Sequence, residues 1–151
     1  MVAHNGTSGF DVWLWGSQIL IQNSSNVEVY DNLVEVSDRF GNGIGVIHQD
    51  RGEGEQGLWH AVHNWVHHNT IVHLGPRGQN GVVMDTDDDW YWAEADNRFD
   101  WNRYMVATPR SGYWTSHGSG GGWDHVRDLG LERNGEMIVA HRAPMELSCR
   151  R

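Results

Sequence analysis

The predicted fold rests on the run Asn64-Trp65-Val66-His67-His68-Asn69-Thr70-Ile71-Val72-His73-Leu74, which continues after a short loop as Asn80-Gly81-Val82-Val83-Met84-Asp85. An earlier stretch, residues 26–48, and a later one, residues 97–114, follow the same plan. Each begins at an asparagine, alternates apolar and polar residues, and resumes after a loop at a glycine. Such repetition indicates stacked units, because one unit of this size cannot bury its own apolar face.

The alternation within each repeat has the period of a β-strand, and Gly, Asn, Asp and Ser separate the runs. Aligning the repeats on Asn32, Asn69 and Asn102, which lie 37 and 33 residues apart, predicts inward-facing rows of stacked side chains. The predicted rows are Val29 over Val66 over Phe99, Val34 over Ile71 over Tyr104, Ile44 over Val82, and Val46 over Met84, with Phe10 and Val12 one repeat earlier. The three asparagines are expected to form a ladder of side-chain amides at a corner.

The frame Asn26-Val27-Glu28-Val29-Tyr30-Asp31-Asn32, with its continuation over residues 42–50, resembles the right-handed parallel β-helix repeat proteins of the pectate-lyase-like superfamily. The resemblance covers about residues 9–140. It implies an all-β fold, a right-handed parallel β-helix (solenoid) of about three to four coils with a short C-terminal capping helix. It specifies the fold better than the chemistry, because the superfamily contains lyases, glycosidases, epimerases and inert spikes.

The C-terminal segment supports the expected cap. Trp123, Val126 and Leu129 recur at helical spacing, and Gly130 can supply the left-handed residue that ends a helix. We therefore expect coils over residues 1–140, a cap at about 119–140 and an irregular tail at 141–151.

The N-terminal end lacks such a cap, since the first strand-like segment, residues 9–15, begins almost at once. An uncovered sheet end invites pairing. We therefore expect the chain to be the C-terminal part of a longer β-helix, or its end to be covered by a partner or by self-association. No signal peptide is visible, and the resemblance implies that the bacterial parent protein is secreted, extracellular or on the cell surface.

Charge and hydropathy exclude two classes of partner. The formal net charge of −9 argues against nucleic acid, which requires clustered basic residues. No apolar run approaches the ~20 residues that span a membrane. The single Cys149 excludes an internal disulfide. An acidic surface suits cations or neutral glycans.

Two outward columns are predicted on the second strand of the repeat, and sugar binding is the interpretation they favour. The columns are Trp13 with Ile47 and Asp85, and Trp15 with Gln49 and Asp87. An indole stacks on the apolar face of a pyranose ring, while the hydroxyls of the sugar bind charged acceptors. The alternative is that both tryptophans pack under a loop such as residues 50–60.

The acidic run over residues 85–89 is the densest group of carboxylates in the sequence. Calcium takes oxygen ligands, so Asp85 and Asp87 are candidate calcium ligands. In the family that the chain resembles, calcium is bound by outward aspartates. The alternative is a solvated acidic turn.

Next to this run in the predicted stacking lies His48-Gln49-Asp50-Arg51. Asp50 and Arg51, with Asp85 and Asp87, are candidates for proton abstraction next to a uronate carboxylate and for stabilising the developing charge. The alternative for Asp50 and Arg51 is a turn ion pair. His48 is expected to be a core histidine if Ile44 and Val46 point inward.

The first strand of the repeat carries a further outward face, which adds Trp65 and His67 as candidate substrate-binding residues. Its predicted columns are Glu28–Trp65–Arg98 and Tyr30–His67–Asp100. His63 and His67 are expected ~13 Å apart on one strand face, too far to share a metal. His67 and His68 are expected to point to opposite faces.

These features predict a carbohydrate-active protein, a lyase or glycoside hydrolase that acts on a polysaccharide. The alternative is a non-catalytic glycan-binding or structural module. The expected partner is a polysaccharide or oligosaccharide, and calcium is the one candidate cofactor.

Overall fold

A computed structural model of the chain describes residues 1–6, 12–86, 88–110 and 112–140. The strands in these residues are β1 Ser17–Gln22, β2 Glu28–Tyr30, β3 Leu33–Val36, β4 Asn42–His48, β5 Glu53–Gly54, β6 Gly57–Leu58, β7 Trp65–His67, β8 Thr70–His73, β9 Asn80–Met84, β10 Arg98–Asp100, β11 Arg103–Val106, β12 Trp114–Ser116, β13 Ser119–Gly121 and β14 Glu136–Val139. The helices are α1 Asp89–Glu94 and α2 Trp123–Asp128. Within the described residues, neither helix has the length and apolar character needed to cross a bilayer.

The described strands form four sheets. Their strand orders are β1-β4-β9-β12-β13, β10-β7-β2, β14-β11-β8-β3 and β5-β6. Strands from successive repeats pair parallel, whereas β12–β13 and β5–β6 are antiparallel. Parallel neighbours therefore come from different repeats, as the spacing of the sequence predicts.

The prediction of a single right-handed parallel β-helix is wrong. The 41% of the described residues that lie in strands is divided among several small sheets, none of them closed, in a mixed α/β arrangement. Two antiparallel pairs and helix α1, inserted between β9 and β10, interrupt the expected succession of parallel strands. The local pairing rule of the repeats holds, but it does not extend to one solenoid.

Two of the predicted inward rows are confirmed. Val29 pairs with Val66 and Val66 with Phe99 in the three-stranded sheet, and all three side chains are buried. The row of Val34, Ile71 and Tyr104 in the four-stranded sheet is likewise in register and buried. The two rows belong to one apolar core.

The other two predicted rows are wrong by two residues. Val46, not Ile44, pairs with Val82, and Met84 pairs with His48. The Asn80 side chain causes the shift: its Oδ1 accepts a hydrogen bond from the Ile44 backbone N–H at 3.0 Å. It lies across Gly43, where a Cβ atom would collide with it. Gly81 therefore pairs with Gly45 and not with Gly43.

The predicted first strand is also misplaced. Val12 is 69% exposed instead of inward, and Phe10 lies outside the described residues. The chain turns at Trp13 and Gly16, which have φ of 63° and 69°. The strand starts at Ser17 instead, so that Ile19 and Ile21 pair with Ile44 and Val46.

The corner after the first strand of each repeat is built by a left-handed residue and an asparagine. Asn32 N–H donates to Asn69 Oδ1 at 3.0 Å, and Asn69 N–H donates to Asn102 Oδ1 at 2.9 Å. The predicted ladder of Asn32, Asn69 and Asn102, here called the asparagine row, is confirmed. It ends at the buried Glu132 carboxyl, which accepts from Asn102 Nδ2 at 2.8 Å and from Tyr104 Oη at 2.7 Å.

The short C-terminal helix is confirmed as α2. Val126 anchors it in the core, and Gly130 ends it with a φ of 82° and a bond from its N–H to the Arg127 carbonyl. The expected tail, residues 141–151, lies outside the described residues.

Candidate functional site

Five aromatic rings lie together on the outer surface of the β10-β7-β2 sheet and on the turns that follow it. We call them the aromatic face: Tyr30, Trp65, His67, His68 and Trp101. The Tyr30 and His67 rings stack with centroids 5.2 Å apart and planes 3° apart. The Trp65 ring lies 4.0 Å from that of His67 on the same strand.

The turn residues extend this stack to the third repeat. His68 and Trp101 stack at 5.8 Å with planes 5° apart, and 2.8 Å separates the Nδ1 atoms of His67 and His68. The prediction that His67 and His68 point to opposite faces is wrong. His68 has a φ of 53° and lies outside the strand, so alternation does not apply to it.

Four of the five rings of the aromatic face are exposed, and His67 between them is half-buried. Tyr30 and Trp101 are about half exposed, and Trp65 is 36% exposed. The registered columns Glu28–Trp65–Arg98 and Tyr30–His67–Asp100 are confirmed, and they spread the face over three neighbouring strands. Because adjacent strands lie ~4.8 Å apart, the face extends for roughly 10 Å across the sheet.

A polar recess of about 360 Å³ borders Trp65. Its lining residues are Asn26, Glu28, His63, Asn64, Trp65, Asp96 and Arg98. Arg98 donates two hydrogen bonds to Asp96, from Nε at 2.7 Å and from Nη2 at 2.6 Å. These bonds lower the pKa of the Asp96 carboxyl, and the nearby His63 ring adds to this lowering. The recess thus places two carboxylates and one paired guanidinium beside an exposed indole.

A second concave region, the His48 cleft, lies at the end of β4 and has a volume of about 200 Å³. Its lining residues are His48, Gln49, Asp50, Arg51, Gly52, Leu58, Trp59, His60, Thr86 and Asp88. Three of the predicted site residues, Gln49, Asp50 and Arg51, therefore come together here.

His48 is a buried histidine, as expected for an inward strand residue. Its Nδ1 accepts a hydrogen bond from the Ala61 N–H at 3.3 Å, and its ring stacks on Tyr91 at 4.2 Å. Burial lowers the pKa of His48, and the nearby His60 adds to this shift. The charges of Asp88, Asp85 and Asp50 oppose it, because they raise the pKa. The neutral ring with an occupied Nδ1 carries its proton on Nε2, which makes His48 a hydrogen-bond donor.

The predicted catalytic residues Arg51 and Asp85 are both hydrogen-bonded to Gln49, a predicted substrate-binding residue. Gln49 Nε2 donates to Asp85 Oδ2 at 2.7 Å, and Arg51 Nη2 donates to Gln49 Oε1 at 2.6 Å. Asp50 Oδ1 accepts from the Gly52 N–H. Among the described residues Asp50 and Arg51 form no ion pair, so the alternative of a turn ion pair is wrong. Asp87 lies outside the described residues.

Trp13 and Trp15 belong to neither region. Both lie half-buried in the turn before β1 and pack against a small cluster of Leu14, Ile47 and Val83. The predicted columns above Ile47 and Gln49 are wrong, because the strand residue next to Ile47 is Gln22. A substrate-binding role for the two tryptophans stays a prediction.

The predicted calcium site has one described ligand, Asp85, whose carboxylate already accepts bonds from Gln49 and from the Asp50 N–H. Over residues 1–6, 12–86, 88–110 and 112–140, no group of three or more histidine, cysteine or acidic side chains is arranged to hold a metal ion. Calcium binding stays a prediction.

Sequence reasoning missed His68 and Trp101 on the aromatic face, and Trp59 and His60 in the cleft. One signal was present: His68 and Trp101 each directly precede an asparagine of the row, where Asp31 stands in the first repeat. No family model, curated protein or solved structure matches the chain. The resemblance to the pectate-lyase-like superfamily therefore stays a prediction.

Proposed function

We propose that the chain is a saccharide-binding protein whose aromatic face holds a neutral polysaccharide or oligosaccharide chain. One observation carries the proposal: rings from three successive repeats contact one another in a continuous group on a sheet surface, and Tyr30, Trp65, His68 and Trp101 in it are exposed. Exposed aromatic surface of this kind is unfavourable in water, and a bound sugar covers it because its axial C–H face packs on aromatic rings.

The recess beside Trp65 supplies the polar half of the recognition. Glu28 and Asp96 offer carboxylate oxygens, and Arg98 offers a planar donor already oriented by its two bonds to Asp96. Sugar hydroxyls both donate and accept, so such a mixed set can bind them at defined positions. Because a single paired guanidinium faces two carboxylates, the set favours neutral sugars over uronates. Binding to extracellular or cell-surface polysaccharide is part of the same proposal.

Calorimetric titration with a panel of neutral oligosaccharides and oligogalacturonate, with and without calcium, tests the proposal. We expect saturable binding of a neutral oligosaccharide by the wild-type chain. Trp65→Ala removes the ring beside the recess and is expected to weaken that binding at least tenfold. Trp13→Ala is the matched control, since Trp13 is a half-buried tryptophan away from the aromatic face.

Retention of binding in Trp65→Ala, or its loss in Trp13→Ala, would refute the aromatic face as the binding surface. Preference for oligogalacturonate, with calcium dependence, would favour the predicted carboxylate site at Asp85 instead.

A second candidate function is cleavage of a polysaccharide, by elimination or hydrolysis, in the His48 cleft. The observation in its favour is that Asp50, Arg51 and the buried donor His48 line one cleft with Trp59. An unsaturated product detected by ultraviolet absorbance would indicate a lyase, and new reducing ends without it a hydrolase. Either activity should fall sharply in Asp50→Asn; if no product forms from any polysaccharide of the panel, the cleft is not catalytic.

A further inference from the structure

A third concave region is lined, within the described residues, by two arginines and by no acidic residue. This arginine cleft has a volume of about 220 Å³ and is lined by Asn42, Pro76, Arg77, Gly78, Gln79, Arg110 and Gly112. Of the residues that the structure describes, two arginines and no acidic residue line it, in a chain with a net charge of −9. Such a local reversal of charge is uncommon on an acidic surface and requires a physical explanation.

Arg110 is fixed in this cleft by neutral groups. Its guanidinium carbon lies 4.2 Å from the centre of the Tyr113 ring, and its Nη2 donates to the Gly78 carbonyl at 2.9 Å. Its Nε is buried and has no hydrogen-bond partner within the described part of the chain. A cation held in this way keeps its charge uncompensated, because neither a π face nor a carbonyl neutralises it.

Arg77 is exposed and forms no ion pair among the described residues. Its backbone is held by the buried His73, whose Nδ1 lies 3.0 Å from the Arg77 carbonyl oxygen. The nearby Asp38, whose backbone packs against Gly75, has Arg39 as its ion-pair partner, at 3.9 Å. The loop that carries Arg77 is thus ordered, while its charge stays available.

The electrostatics at His73 agree with this positive character. The pKa of His73 is lowered to about 4, mainly by burial; the bond to the Arg77 carbonyl opposes the shift and the charge of Arg110 adds to it. His73 therefore stays neutral at physiological pH and adds no charge of its own.

We propose that the arginine cleft binds an oxyanion group, a carboxylate, sulfate or phosphate, carried by a small soluble ligand. Two arginines that line one cleft can donate several charge-assisted hydrogen bonds to one such group. The left-handed Gly78 and Gly112, with φ of 84° and 105°, leave the walls free of side chains. This site is separate from the aromatic face, and its existence does not depend on saccharide binding there.

Isothermal titration of the full chain with sodium sulfate, sodium phosphate and sodium glucuronate, each against sodium chloride at matched ionic strength, tests the site. We expect saturable binding of at least one of the three anions. Arg77→Gln and Arg110→Gln should each weaken it about tenfold, as expected when one charge-assisted contact is removed. Arg127→Gln, on the exposed surface of α2, is the matched control and should leave the affinity unchanged.

The three anions distinguish the source of the oxyanion group. Tighter binding of glucuronate points to a sugar-borne carboxylate, whereas tighter binding of sulfate or phosphate points to a tetrahedral anion. If Arg110→Gln is unfolded by circular dichroism, Arg77→Gln alone decides, since Arg77 is exposed. The proposal is overturned if the wild-type chain binds none of the anions beyond chloride, or if Arg77→Gln binds as tightly as wild type.

Discussion

His68 and Asn69 are consecutive residues, yet Asn69 is buried and His68 is exposed. The asparagine row and the aromatic face differ in the same way. Asn69 is 1% exposed, whereas the neighbouring His68 is exposed and stacks on Trp101. The asparagine recurs at this corner in all three repeats and faces the interior. The ring before it occurs in the second and third repeats, as His68 and Trp101, and faces solvent. The interior set satisfies backbone groups, and the surface set leaves its rings available.

The hydrogen bonds of the two regions show what each is built for. Asn69 Nδ2 donates to the carbonyls of Val29 and His67, and its Oδ1 accepts from the Asn32 N–H. On the aromatic face, by contrast, His67 Nε2 is buried and has no partner within the described residues. A buried polar network contributes to stability only when its members are satisfied, so the asparagine row is structural. The aromatic face has no comparable network among the described residues, and its exposed rings make it suited to binding.

The largest expected effect comes from breaking the asparagine row. Asn69→Ala removes the side-chain bonds to the buried Val29 carbonyl, the part-buried His67 carbonyl and the Asn32 N–H, and we expect it to lower the free energy of unfolding by about 4 kcal/mol. Urea unfolding followed by circular dichroism measures this loss. Asn32→Ala, at the less buried end of the row, is the control and should cost less than half as much; equal costs would contradict the account.

The next effect is a pH dependence at the end of the row. Burial raises the pKa of the Glu132 carboxyl from 4.5 to about 7, although its bonds from Tyr104 and Asn102 oppose the shift. The folded state therefore holds this proton more tightly than the unfolded state. Its contribution to stability is complete below pH 4.5 and is lost as the pH rises to about 7, a change of about 3 kcal/mol.

His73 changes stability in the opposite direction and provides the comparison for Glu132. Its pKa is lowered from 6.5 to about 4, so its contribution is complete above pH 6.5 and is lost as the pH falls toward 4. Unfolding free energies of Glu132→Gln should consequently rise with pH between 4.5 and 6.5 more steeply than those of the wild type. Parallel curves for the two proteins would show that Glu132 does not titrate in this range.

These regions also show where sequence reasoning succeeds. The rows through Val66 and Ile71 were predictable because period-2 alternation operates between two fixed corners, and the corner asparagines mark the frame. The rows of Ile44 with Val82 and of Val46 with Met84 were not predictable, because the loops before β4 and β9 differ in length. In addition, the Asn80 side chain, and not a strand partner, occupies the space at Gly43. The prediction for the direction of the His68 side chain failed for a third reason. His68 is itself in the left-handed conformation and ends the alternation, and no glycine in the sequence marks this turn.

On the aromatic face, the expected change is in binding and not in stability. Trp65→Ala should weaken oligosaccharide binding by at least tenfold, a loss of about 1.4 kcal/mol or more, because stacking on the indole is removed. The exposed position of Trp65 predicts a change in unfolding free energy within about 0.5 kcal/mol. Parallel titration and urea unfolding of one preparation separate the two quantities, and a large destabilisation would assign Trp65 to the core instead.

The smallest expected effect concerns the ion pair in the recess. Arg98→Gln breaks the exposed pair with Asp96 and should lower the free energy of unfolding by less than about 1 kcal/mol. Its influence on saccharide affinity should exceed this, since the oriented donors beside Trp65 are lost. A loss of stability as large as the one expected for Asn69→Ala would mean that the recess is a structural element.

The central claim is that the aromatic face packs against a saccharide, and saturation-transfer NMR tests it most directly. Irradiating the aromatic protons of the wild-type chain in the presence of a neutral oligosaccharide should transfer saturation to the axial C–H protons of the sugar. The same transfer should fall sharply in Trp65→Ala and persist in Trp13→Ala. The account is contradicted if no neutral oligosaccharide receives saturation, or if Trp65→Ala transfers it as well as wild type.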